Sequence, residues 1–182
     1  VSGMPGHCTV IAAIAAGVAS DGANTNLAST STDNSVVYDT VVPSVTINQA
    51  VGQVDPTNSG TINFTVIFSE AVTDFNDAAD VNLSGTAGAT TSLITGGPTT
   101  YNVAVSGMTS DGTVIADIPA NAAQDAGGNA NTISTSTDNT ITYDATAPTV
   151  TINQAVGQAD PTNVGTINFT VVFSGAVIDF DD

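Results

Sequence analysis

The chain repeats itself. Ser44–Val72 reads SVTINQAVGQVDPTNSGTINFTVIFSEAV, and Thr149–Val177 reads TVTINQAVGQADPTNVGTINFTVVFSGAV, 105 positions later. STSTDN with a following Tyr-Asp occupies Ser29–Asp39 and returns at Ser134–Asp144, at the same offset. Val1-Ser2-Gly3-Met4 matches Val105-Ser106-Gly107-Met108 at an offset of 104, so one residue is gained or lost in between. A unit of this length is an autonomous domain rather than a solenoid repeat of roughly 20–50 residues. The 182 residues therefore hold one whole unit, 41–146, with the back part of a preceding unit (1–40) and the front part of a following one (147–182). Tandem units imply a long array, in which each copy's partners are its neighbours.

Each unit reads as all-β. Ile62, Phe64, Val66 and Phe68 alternate with Thr61, Asn63, Thr65 and Ile67, and Val45 and Ile47 alternate with Thr46 and Asn48. This is the two-residue period of a half-buried strand. Further strands are expected at 80–84, 90–95, 100–106, 112–118 and 140–144, separated by turn chemistry at Asp55-Pro56, Gly85, Gly96-Gly97-Pro98 and Asp111-Gly112. About seven short strands per unit fit an immunoglobulin-like β-sandwich. The expected core is Val45, Ile47, Ile62, Phe64, Val66, Phe68, Val81, Leu83, Val103, Val105, Val114, Ala116, Ile118, Ile141 and Tyr143. The long connection from Pro119 to Asp138 is expected to hide a short element, with a helical turn at 119–123 and a tight turn at 125–129.

Composition narrows the chemistry. There are 17 Asp plus Glu, one His and no Lys or Arg, for a net charge of -17. Without Lys or Arg there is no clamp for phosphate or nucleic acid and no Schiff-base lysine, and internal ion pairs are not expected. Anionic membrane surfaces repel such a chain, and no apolar run reaches the ~18 residues that span a bilayer. Val10–Val18 is apolar but short and lacks a basic flank, so it does not read as a signal peptide. The lone Cys8 excludes an intrachain disulfide and a Cys-based zinc site, although its thiol can cross-link two chains. His7-Cys8 takes the place of Asp111-Gly112 and reads as a variant turn. No base stands ready to activate a Ser or Thr nucleophile. An enzyme is not expected.

The segments FSEAV (Phe68–Val72), VSGMTSDGTVIADIPA (Val105–Ala120), DAGGNAN (Asp125–Asn131) and STSTDNTITYD (Ser134–Asp144) resemble the bacterial Ig-like repeats of large cell-surface and secreted adhesin-type proteins. The resemblance implies a sandwich fold, an extracellular or cell-surface location, and a role as a stalk, matrix or adhesive array. It also implies calcium at domain junctions.

The acids fall independently at the two ends of the unit. In an up-and-down sandwich Glu70, Asp74, Asp77 and Asp125 lie in loops at the end facing the preceding unit, opposite Asp39. Asp55, Asp111 and Asp144 lie at the other end, facing Asp179, Asp181 and Asp182 of the next unit. Two carboxylates ~4 Å apart repel by ~1 kcal/mol in water and ~4 kcal/mol at an effective dielectric near 20. With no Lys or Arg to offset this, Ca²⁺ is the cation expected there, because it takes oxygen ligands in flexible geometry. Asp and Asn are also ordinary turn formers, which alone would place them in loops.

Three functions compete: a structural array stiffened by calcium, a filament or lattice subunit in which the partial units pair head-to-tail between chains, and a carbohydrate-binding module. The last has only three Tyr and no Trp to stack on a sugar. Linkers of about four residues from Asp39 to Pro43 and from Asp144 to Pro148 favour the array, since Pro restricts the swing between neighbours.

Overall fold

The computed structural model describes residues 1–181, so the expectation for Asp182 lies outside the described residues. The described chain is all-β apart from one 3₁₀ turn, Ala78–Asp80. It divides into two compact units, Val1–Asp144 and the residues from Ala145 on.

In the first unit β1 (Cys8–Ile11) pairs antiparallel with β2 (Ser35–Tyr38). Seven strands follow: β3 (Val45–Gln49), β4 (Thr61–Phe68), β5 (Asn82–Ser84), β6 (Thr91–Gly96), β7 (Thr100–Ser106), β8 (Gly112–Asp117) and β9 (Thr140–Tyr143). They form two antiparallel sheets in the orders β3-β4-β7-β6 and β5-β8-β9. The alternation in β4 decides which face is covered: Ile62, Phe64, Val66 and Phe68 are buried, while Ile67 is 50% exposed. Ile67→Thr should therefore shift stability by no more than ~0.5 kcal/mol in urea unfolding, as surface changes usually do. A larger loss would mean that another surface covers this face.

One core joins both sheets, an arrangement consistent with a β-sandwich. Every expected core residue is buried except Leu83 and Tyr143, which pack against the core half-buried. Leu83 sits on β5, at the edge of its sheet, and Tyr143 ends β9. The core also takes in Val72, Phe75, Ala87, Tyr101, Ala122 and Ala123. Phe68, Phe75 and Tyr101 meet edge to face, with centroids 5.0–5.9 Å apart, a favourable aromatic geometry.

Two local expectations are corrected. Asp80 is not in a strand: the 3₁₀ turn precedes β5, and the Asp80 carboxylate accepts from the Asn76 and Asp77 amides. Residues 119–123 form no helical turn, because Asn121 takes a φ of 66° and breaks the helical path. The rest of that connection is tied down beside β3. Thr132 N donates to Pro43 O, Thr135 N to Val45 O and Ile47 N to Thr135 O. A long loop thereby closes an edge that would otherwise present unpaired backbone groups.

In the second unit β10 (Val150–Gln154) pairs with β11 (Phe169–Phe173), Val150 opposite Phe173, which repeats Val45 opposite Phe68. Likewise Cys8 opposite Tyr38 repeats Gly112 opposite Tyr143. Each hairpin keeps the register of its counterpart, but its inward-type side chains are less covered: Ile152 and Phe169 are 63% and 60% exposed, against 0% for Ile47 and Phe64, while Val10, Val171 and Phe173 are half-buried.

Candidate functional site

The site is built on the loop between β8 and β9, by a network of amides. Asn131 Oδ1 accepts from Ala123 N, and its Nδ2 donates to Pro119 O and Thr132 O. This fixes the loop base. Asp125, 5% exposed, then closes the tip: its Oδ1 accepts from the amides of Gly127 and Asn129 at 2.7 and 2.9 Å, and its Oδ2 from Asn129 Nδ2. Gly128 has the positive φ expected of this turn, 85°.

Asp39, the residue after β2, is seated on that tip. A Cβ placed on Gly127 would lie 2.9 Å from Asp39 Cβ, so glycine is what lets the two segments approach. Asn129 Nδ2 also reaches Asp39 O at 3.3 Å. Glu70, just past β4, completes a group in which one carboxylate oxygen each from Asp39, Glu70 and Asp125 lies within 4.8 Å of the others. His7 closes the side, with Nδ1 2.8 Å from Asp39 Oδ1. The expectation that internal ion pairs would be absent is corrected here: His7, when protonated, makes one.

The three acids titrate differently because their surroundings differ. The Val41 amide, then the His7 ring, holds Asp39 below the usual carboxylate range. Asn129's side chain, then the backbone amides, does the same for Asp125. Glu70 is pushed up, first by burial and then by Asp125 and Asp39, with His7 acting in the opposite sense. Glu70 is therefore the first of the three to take a proton on acidification.

A divalent cation fits this geometry. Ca²⁺ holds oxygens at about 2.3–2.6 Å, so two oxygens on one ion lie no more than about 5 Å apart. The spread of the three carboxylates is within that limit.

The other expected ligands do not join this group. Asp74 accepts from Gln124 Nε2 and Thr73 Oγ1, and Asp77 caps the 3₁₀ turn through Ala79 N. At the opposite end Asp55 accepts from Thr142 N, and the Asp144 amide donates to Thr57 O. Asp111 lies in the turn before β8. Asp179, with a φ of 63°, and Asp181 belong to the second unit.

Gly127, Asn129 and His7 were not among the expected site residues. The hydrogen bonds of this loop, though not Gly127 or His7, recur in the internal repeat. Asp21 accepts from the amides of Ala23 and Asn24 as Asp125 does from Gly127 and Asn129, and Asn26 repeats the bonds of Asn131 with Ala19, Ala15 and Leu27. The one-residue change of offset falls in this loop, since Asp21 N bonds Asn24 O where Asp125 N bonds Asn129 O.

No helix of the described residues is long and apolar enough to cross a membrane. No protein-family model, curated protein or solved structure matches the chain.

Proposed function

We propose that the chain is a segment of an extracellular bacterial array of Ig-like domains, an adhesin stalk or matrix protein, in which Ca²⁺ at the junctions limits bending between neighbours. The observation that carries this is the seating of Asp39, from the end of one repeat, on Gly127 of the next, beside Glu70 and Asp125. The strand orders β3-β4-β7-β6 and β5-β8-β9 support the Ig-like assignment, since they correspond to the ABED and CFG sheets of a constant-type domain. Strands of ~6 residues at ~3.3 Å per residue, with loops and linker, would add ~40 Å of length per unit. The Phe64, Phe68, Phe75 and Tyr101 rings are buried, which weakens a carbohydrate-binding reading for this repeat.

Calcium that binds only the docked state stabilises it by RT ln(1 + [L]/Kd), ~2.7 kcal/mol at a hundredfold excess. Chelation should therefore lower the melting temperature and loosen the junction, and Gly127→Ala, which would displace Asp39, should shrink the difference. The effect should be present above the Glu70 pKa and fade as pH falls through it, at a value above the ordinary 4.5. Identical melting and small-angle scattering with calcium and with chelator would overturn the calcium reading.

A further inference from the structure

At the group of Asp39, Glu70 and Asp125, two positions differ in charge between the copies. His7 stands before β1 where Asp111 stands before β8, and Glu70 follows β4 where Gly175 follows β11. The first exchange gains a carboxylate and the second loses one. We propose that His7 and Glu70 are a matched pair that determines which repeat docks onto which: a loop bearing Glu70 is accepted behind a turn bearing His, and rejected behind one bearing Asp. This rests on the array reading, because it requires repeats that dock end to end.

The geometry provides the coupling. His7 Nδ1 is 2.8 Å from Asp39 Oδ1, and Asp39 shares with Glu70 and Asp125 the group spanning 4.8 Å. At position 7 a carboxylate would be a fourth acid in this group, with no Lys or Arg in the chain to offset it. His7 avoids that repulsion whether or not it is protonated. Its side chain is 52% exposed, so replacing it disturbs little packing. Glu70 already has the carboxylates of Asp39 and Asp125 within 4.8 Å. Glu70 is thus the residue whose fit depends on what stands at position 7.

The test is a double-mutant cycle on the 182-residue chain in excess chelator, so that no metal contributes. The reporter is hydrogen exchange at the Val41 amide, which donates to Asp39 Oδ1 at 3.0 Å. His7→Asp should speed exchange by about two- to five-fold, the size of one exposed charge pair. Adding Glu70→Gly should return it to near the wild-type rate, and so should Glu70→Gln, which keeps the side-chain length. Exchange at the Phe64 amide, within the β4 ladder, should stay unchanged and so show that the fold is intact. An unaffected Val41 in His7→Asp, or an equal effect of Glu70→Gln with and without it, would overturn the pairing. A chain that ignores calcium yet shows the coupling would remove the calcium reading alone, and the converse would remove the pairing alone.

Discussion

Phe64→Ala should destabilise the first unit by ~3–5 kcal/mol, the range for removing a large aromatic side chain from a packed core. Phe64 is 0% exposed at the middle of β4, opposite Val103 of β7 and Gln49 of β3. It faces the core that the β5-β8-β9 sheet completes from the other side. The chain carries its own control. Phe169 occupies the equivalent place in the same INFTV context, but it is 60% exposed. Phe169→Ala should cost no more than ~0.5 kcal/mol, as for a surface change. Urea unfolding of both variants measures the contrast. A small loss for Phe64→Ala would mean that the β4 register is wrong by one residue, which would turn every inward side chain outward. A loss for Phe169→Ala that grows with protein concentration would report pairing between copies.

That contrast shows what was legible in the sequence. The alternation through 61–68 was enough to place β4 and its buried face, because a half-buried strand imposes a two-residue period on its own residues. Asp39, Glu70 and Asp125 could be placed at one end by counting strands, since loops alternate ends in an up-and-down sandwich. Counting could not separate them from Asp74 and Asp77. What separates them is local: Asp74 is taken up by Gln124 and Thr73, and Asp77 by its cap on Ala79. Gly127 was hidden for a different reason. Its importance comes from the approach of Asp39, 88 positions away in the chain, and no local pattern announces a contact across that separation. The aromatic group of Phe68, Phe75 and Tyr101 was half legible, because Phe75 lies in a loop with no period to assign it inward.

Asn131→Ala is the second large effect expected, ~2–3 kcal/mol, and it links stability to the site. Asn131 is 2% exposed, and its amide makes three bonds to the loop backbone, from Ala123 N at 2.7 Å and to Pro119 O and Thr132 O at 3.0 and 2.7 Å. Its own N–H donates to Ala123 O, so side chain and backbone together hold the base of the loop. Truncation would strand the Ala123 amide in a buried setting, and an orphaned buried donor costs about 1–3 kcal/mol before the two lost carbonyl partners are considered. Asn131→Asp keeps the acceptor for Ala123 N but turns a buried carboxylate oxygen on Pro119 O and Thr132 O, so its loss should be at least as large. Both variants should loosen the tip that carries Asp125 and Gly127, and with it the seat of Asp39. Exchange at the Val41 amide should then accelerate even where the β4 amides stay protected. The duplicate loop at Ala19–Asn26 uses the same bonds, so Asn26→Ala should release that loop alone. If Asn131→Ala cost under ~1 kcal/mol, water would be replacing the amide. The loop would then be no rigid platform, and a junction built on it could not transmit stiffness from one repeat to the next.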